Sequence, residues 1–271
     1  MSYFASVPSL SGLSRLPVNP CKLLDFQMLS LVDGETYEGE SNTREILAVI
    51  LAGKATFTVG DELFERVGAR PDVFSGKPHS VYIPCQTGFT VTGNGKVEIA
   101  LASAPSDLLS APYVISPEKV TAGTHGAANF TYSSHLVLTQ EGQPDLPARR
   151  LIVGESFLPS GNWGFFPPHR HEIDDLPRQA YLEELNYFKI NPSDGFGLTR
   201  HYNNEIDSAY VVRDNTILMM PDGYHTVVAA PGYTVYLLWV LAGNQRILAM
   251  AEDSVLAWVS RTIPMLRASG E

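Results

Sequence analysis

Cysteine is scarce in this chain of 271 residues, which carries only Cys21 and Cys85. Two cysteines cannot build a disulfide scaffold, and without a CxxC pair there is no zinc ribbon. Runs of Lys or Arg are also lacking. With a formal net charge of −10 there is no basic face to neutralise phosphates, so nucleic acid is not an expected partner. No apolar run approaches the ~20 residues that a membrane helix needs, so no membrane association is expected. The opening MSYFASVPSLSGLSR lacks a basic start followed by an apolar core, so no secretory signal is expected. Together these absences read as a soluble, cytoplasmic protein. Helical periodicity is weak too. The best candidate is "DSVLAWVSRTI", with Asp253 as its N-cap.

What the chain does have is a hydrophobic fraction of 44%, enough for one large domain or two ordinary ones. Short runs rich in Val, Ile, Tyr, Phe and Thr recur between Gly, Pro, Asn and Asp. Examples are "REILAVILAGKATFTVG" from Arg44, "RRLIVGESFLPSG" from Arg149 and "GYTVYLLWVLAG" from Gly232. This pattern predicts an all-β fold of antiparallel barrels or jelly rolls with few short helices. The halves also resemble each other. "HSVYIPCQTGFTVTGNGKVEIALASAP" aligns loosely with "NTILMMPDGYHTVVAAPGYTVYLLWVLAG", which suggests two copies of one barrel. The polar, Gly-containing stretch around Ser116–Gly126 is a natural boundary, giving an expected division into residues 1–118 and 119–271.

Histidines separate the copies. The second carries "PPHRHE", in which His169 and His171 alternate with Arg170, so both imidazoles face one side of a strand. A third, His225, follows the Pro-Asp-Gly turn of "MPDGYH". Glu183 and Glu184 lie between them in "YLEELNYFKI". The order HxH, Glu, then Pro-x-Gly-x-His is that of cupin metal sites, although "EIDDLPRQAYL" makes the gap before the carboxylate unusually long. The first copy has "YIPCQTGF" at the matching turn and no HxH pair. It therefore reads as structural, with the chemistry in the second copy. The remaining histidines, His79, His125, His135 and His201, have no partner at ligand spacing.

The motifs "ISPEKV", "PPHRHE", "YLEELNYFKINPSDGFGLTRHY", "MMPDGYH" and "YLLWVLAG" together resemble the 5-deoxy-glucuronate isomerases of bacterial myo-inositol catabolism. Those enzymes are relatives of the 5-keto-4-deoxyuronate isomerase of pectin breakdown. The resemblance implies a bicupin, two tandem double-stranded β-helix barrels, with one metal site in the second. Carried over residue by residue, His169, His171 and His225 match the histidine ligands. Counting back from Tyr187–Phe188 favours Glu183 as the carboxylate, with Glu184 as the alternative. Adjacent side chains face opposite ways, so only one can serve. The implied cofactor is one divalent ion (Zn, Mn, Fe or Ni). The implied reaction converts 5-deoxy-D-glucuronate to 5-dehydro-2-deoxy-D-gluconate.

Such a reaction needs proton transfer, and by strand parity Tyr187, Lys189 and Tyr202 are the candidates. Arg200 is the candidate for binding the substrate carboxylate, with Lys189 as the alternative. Two other readings use the same residues: an Fe(II) dioxygenase, and a non-catalytic sugar-acid-binding cupin. Exposed strand edges make a homo-oligomer the expected state.

Overall fold

The computed structural model describes residues 3–8 and 10–270. Four antiparallel sheets account for nearly all regular structure. The first half forms a six-stranded sheet in the order Tyr113–Ile115, Ser80–Ile83, Arg44–Ala52, Val97–Pro105, Asp25–Leu31, Gly12–Arg15. It faces a four-stranded sheet ordered Thr36–Glu40, Gly88–Gly93, Ala55–Val59, Glu62–Val67. The second half repeats this plan. Its large sheet includes Thr216–Met220, Leu182–Asn191, Thr234–Gly243, Leu151–Leu158 and Tyr132–Leu138 in that order. Its smaller sheet runs Asp207–Val212, Gly197–Tyr202, Tyr224–Ala229, Trp163–Arg170, Ala251–Glu252.

One strand departs from the expected division. Tyr3–Ser6 pairs with Thr216–Met220, Tyr3 opposite Met219. The amino terminus thus covers an edge of the second half's large sheet, where unpaired backbone would otherwise be exposed. The helix expected from Asp253 also falls later. Asp253 Oδ1 accepts the Val255 N–H at 2.9 Å, and its carbonyl accepts Leu256 and Ala257. That closes turns, and the α-helix spans Ile263–Ser269.

The two large sheets pack against each other, and this decides where side chains point. Leu47, Val49 and Leu51 join a core shared with Leu151, Val153, Leu185, Tyr187, Tyr236, Leu238 and Val240. Their neighbours Ala48 and Ile50 fill the first barrel, and Ile152, Phe188, Leu237 and Trp239 the second. Strands buried on both faces read as near-continuous apolar runs, as "TVYLLWVLAG" does. On Leu182–Asn191, odd-numbered side chains therefore enter the layer between barrels and even-numbered ones the interior of the second barrel.

The layer between barrels also holds buried charge. Arg70 donates to Glu155 through Nη2–Oε1 at 2.6 Å and Nη1–Oε2 at 3.1 Å. Tyr236 donates to the same carboxylate at 2.8 Å. Burial by itself would raise Glu155, but the Arg70 charge and these hydrogen bonds hold it below the usual carboxylate range.

Candidate metal centre

Three strands of the second barrel bring the site together. His169 lies directly across from His225 in the pairing of Trp163–Arg170 with Tyr224–Ala229. Between the Gly164–Val227 pair and the His169–His225 pair the register shifts, so Phe165–Pro168 bulge out of the ladder. Phe165 sits at φ +57°, a strained region for a bulky residue. Its ring centroid lies 5.9 Å from that of His169. His225 is delivered by the Pro-Asp-Gly turn, where Gly223 has φ +92° and a Cβ would lie 2.7 Å from His201 Nε2. Only glycine fits there. Glu172 secures the same turn by accepting the Gly223 N–H at 2.9 Å.

The carboxylate in this cluster is Glu184. Ligand atoms of His169, His171, Glu184 and His225 all lie within 4.8 Å of one another, and all four residues are buried. Glu184 Oε2 is 2.9 Å from His171 Nε2 and 3.1 Å from His225 Nε2. The Leu182 carbonyl lies 2.7 Å from His171 Nδ1. A carbonyl only accepts, so Nδ1 donates to it, and Nε2, which hydrogen-bonds Glu184 here, is the atom left to serve as a ligand when a cation takes the place of that proton.

Glu183, the carboxylate favoured from sequence, points the other way into the layer between barrels. It accepts backbone N–H groups from Lys22 at 2.9 Å, Leu23 at 2.7 Å and Leu24 at 3.2 Å, and the Tyr181 hydroxyl at 3.1 Å. Its lone pairs are consumed by the protein.

The electrostatics fit a cation. Burial lowers His169 well below the ordinary imidazole range, helped by the neighbouring His225 and His171, so it offers a free lone pair. Burial works against His171, but its contacts with Glu184 outweigh this and raise it. Burial would raise Glu184, yet the His225 charge and the His171 hydrogen bond hold it well below the usual range. His225 Nε2 is buried without a hydrogen-bond partner of acceptable geometry. Three imidazoles, one carboxylate and an orphaned buried nitrogen are the donor set of a divalent transition metal.

His169 and Glu184 open onto a cavity of about 610 Å³. Its walls include Phe165, Trp239 and Leu241, and its polar groups include His125, Tyr132, Ser134 and Arg267. His125 Nε2 is 2.7 Å from Ser134 Oγ, and burial keeps its imidazole below the ordinary range. Tyr132 stacks between His125 and Phe165, at 5.0 and 4.8 Å. Burial and the Glu184 charge push its hydroxyl up, so it stays a donor.

The other residues singled out from sequence do not line this cavity. The Tyr187 hydroxyl donates to Asn215 at 2.6 Å, between the barrels. Lys189 pairs with Glu98 at 2.9 Å and lines a separate cavity of about 470 Å³. Arg200 pairs with Asp207 at 2.7 Å on the outer surface, and its guanidinium stacks on Tyr202. The Tyr202 hydroxyl donates to Asp253 at 2.6 Å. Parity within one strand could not reveal that the face it shares with Glu183 looks into the other barrel. His125 and Arg267 were missed because they come from distant strands and helices with no spacing signal.

Comparisons with known proteins agree with this architecture. The profile described as the KduI/IolB family matches residues 16–259. A 5-deoxy-glucuronate isomerase of Geobacillus kaustophilus is 38% identical over 237 residues, covering 86% of this chain and 84% of the relative. The enzyme of that name from Bacillus subtilis strain 168 is 34% identical, with 87% of each chain covered. Among solved structures, an IolB-like protein from Salmonella typhimurium LT2 superposes with a TM-score of 0.89 at 29% identity, covering 94% of this chain and 98% of its own. An oxalate decarboxylase from Lactobacillus farciminis shares the fold at a TM-score of 0.66 and 11% identity, covering 98% and 92%. No helix among the described residues is long and apolar enough to cross a membrane. With a family match over most of its length and relatives above 30% identity, the chain belongs to the KduI/IolB family.

Proposed function

We propose that this chain is a metal-dependent aldose–ketose isomerase converting 5-deoxy-D-glucuronate to 5-dehydro-2-deoxy-D-gluconate, a step of myo-inositol catabolism. One observation carries the reading: His169, His171, Glu184 and His225 cluster beside a sugar-sized cavity that His169 and Glu184 line, in a chain whose relatives bear that enzyme name. A divalent ion of the Zn, Mn, Fe or Ni kind, held by these four residues, supplies Lewis acidity toward the oxygens on C1 and C2. The reading also implies a cytoplasmic, self-associating protein.

The protein's own groups handle position and protons. The reaction moves one proton from C2 to C1 and one from the C2 hydroxyl to the C1 oxygen, with no net oxidation. His125 is assigned the carbon-bound proton. Its imidazole lines the cavity and is oriented by Ser134. Tyr132 serves as a hydrogen-bond donor, and the apolar wall of Phe165, Trp239 and Leu241 limits water.

The test is elemental analysis of the purified protein beside His169→Ala and His225→Ala, with isomerase activity and oxygen uptake measured on the same samples. Near-stoichiometric metal lost in both variants, with isomerisation and no oxygen uptake, is the expected result. Oxygen consumption would instead support the Fe(II) dioxygenase. Full sugar-acid binding without metal would favour a non-catalytic binder.

A further inference from the structure

We infer that Arg267, on the carboxyl-terminal helix Ile263–Ser269, binds the carboxylate of a sugar-acid substrate in the cavity that His169 and Glu184 also line. The inference deepens the isomerase reading and rests on it for the identity of the substrate.

Four observations converge on this side chain. Arg267 is the one Lys or Arg among the described residues lining the cavity. Besides the metal-site carboxylate Glu184, the acids Glu141 and Glu252 line the same space, so a substrate carboxylate held away from the ion needs a cation of its own against like charge. Five other arginines, Arg70, Arg149, Arg170, Arg178 and Arg200, are already engaged in ion pairs. Among the described residues Arg267 forms none, and its hydrogen bond runs from Nε to the Gly126 carbonyl at 3.1 Å. That leaves the Nη1–Nη2 edge, which matches the two oxygens of a carboxylate.

The Gly126 carbonyl belongs to a tightly packed turn. Gly126 has φ +74°, and a Cβ there would lie 1.9 Å from the Phe130 carbonyl oxygen. The turn presenting its carbonyl therefore has little room to shift. Glu252, the cavity acid nearest to Arg267 in sequence, accepts from the Ser260 hydroxyl at 2.8 Å. The cations suggested by sequence are committed elsewhere, Arg200 to Asp207 and Lys189 to Glu98.

The test compares the metal-loaded protein with Arg267→Met and Arg267→Lys on two substrates. One is 5-deoxy-D-glucuronate; the other is 5-deoxy-D-glucose, which has the same reacting end but no carboxylate. Arg267→Met should lose on the order of 10- to 100-fold in kcat/KM for the acid, mainly through KM. It should leave the uncharged sugar and the metal content unchanged, and Arg267→Lys should recover part of the loss. Equal losses on both substrates, or no loss on the acid, would overturn the inference. If the wild type does not isomerise the acid, the functional reading fails, and calorimetric binding of D-gluconate becomes the readout. Binding that disappears in Arg267→Met still supports the carboxylate subsite. No binding by the wild type, or binding unchanged in the variant, overturns it.

Discussion

Glu45 and Glu183 hold reciprocal positions in the two halves. Glu45 lies opposite Ala104 in the first large sheet, and Glu183 opposite Ala242 in the second. Each sends a buried carboxylate across the layer between barrels to three successive backbone N–H groups of the other half. Glu45 receives Arg149, Arg150 and Leu151 at 2.7, 2.6 and 2.8 Å. Glu183 receives Lys22, Leu23 and Leu24. A tyrosine hydroxyl completes each set, Tyr82 at 2.8 Å and Tyr181 at 3.1 Å. The two glutamates staple the barrels together, and Ile46 in the first half stands where Glu184 stands in the second.

From this follows a separation of roles between neighbours. Glu184→Gln should lose most bound metal by elemental analysis while keeping its melting temperature within a few degrees of the metal-free wild type. Glu183→Gln should retain metal but melt roughly 5–10 °C lower, because an amide facing buried N–H donors costs about 2–4 kcal/mol. Metal loss in Glu183→Gln with none in Glu184→Gln would reverse the assignment.

The Arg70–Glu155 pair sets a pH dependence. The folded-state pKa of Glu155 is depressed. Its contribution is therefore fully present above the unfolded glutamate pKa of about 4.3, and is lost as pH falls toward the lower folded value. Urea midpoints of wild type and Glu155→Gln should differ by a constant amount from pH 5 to 7, and the gap should narrow below about pH 4. Arg70→Met, which strands a buried carboxylate, should cost about 3–5 kcal/mol at neutral pH. A gap that widens in acid would contradict the depressed pKa.

Tyr202→Phe and Arg200→Gln should leave kcat and KM within about twofold of wild type, since both side chains serve an outer-surface network with Asp253 and Asp207. Steady-state kinetics on 5-deoxy-D-glucuronate decide this, and a loss beyond tenfold would return these residues to the site.

His125→Gln should lower kcat by on the order of 10²-fold with KM and metal content little changed. The neutral imidazole that accepts a proton would be gone, while a hydrogen bond to Ser134 could persist. Solvent-hydrogen incorporation at the product's C6 hydroxymethyl, the former C1 of the substrate, should fall in parallel, and an unaltered kcat would remove His125 from proton transfer.

Much of the architecture was legible in the chain. Short runs rich in Val, Ile, Tyr, Phe and Thr between Gly and Pro turns pointed to the all-β class, and the loose repeat suggested two copies. The HxH pair and the Pro-Asp-Gly-Tyr-His turn marked three of the four clustered side chains, because strand alternation and a tight glycine turn are local properties. The choice between Glu183 and Glu184 was not local. Both faces of Leu182–Asn191 are buried, so no polar alternation told the inside of the barrel from the layer between barrels. The repeat held a clue: Glu45 occupies the matching position in a copy without the histidine pair, which marks Glu183 as a staple.

The sequence by itself determined the β-rich runs, the copy that holds the HxH pair, and the imidazoles available to a cation, since these follow from residue type and short-range spacing. The tertiary structure alone decided that Glu184 is the carboxylate beside them and that none of Tyr187, Lys189, Arg200 and Tyr202 lines the cavity. It also brought His125, Tyr132 and Arg267 to one wall from segments separated by up to 142 positions in the sequence. The packing of one large sheet on the other fixes which face of a doubly buried strand is interior, and long-range packing of that kind leaves no periodic trace in the chain.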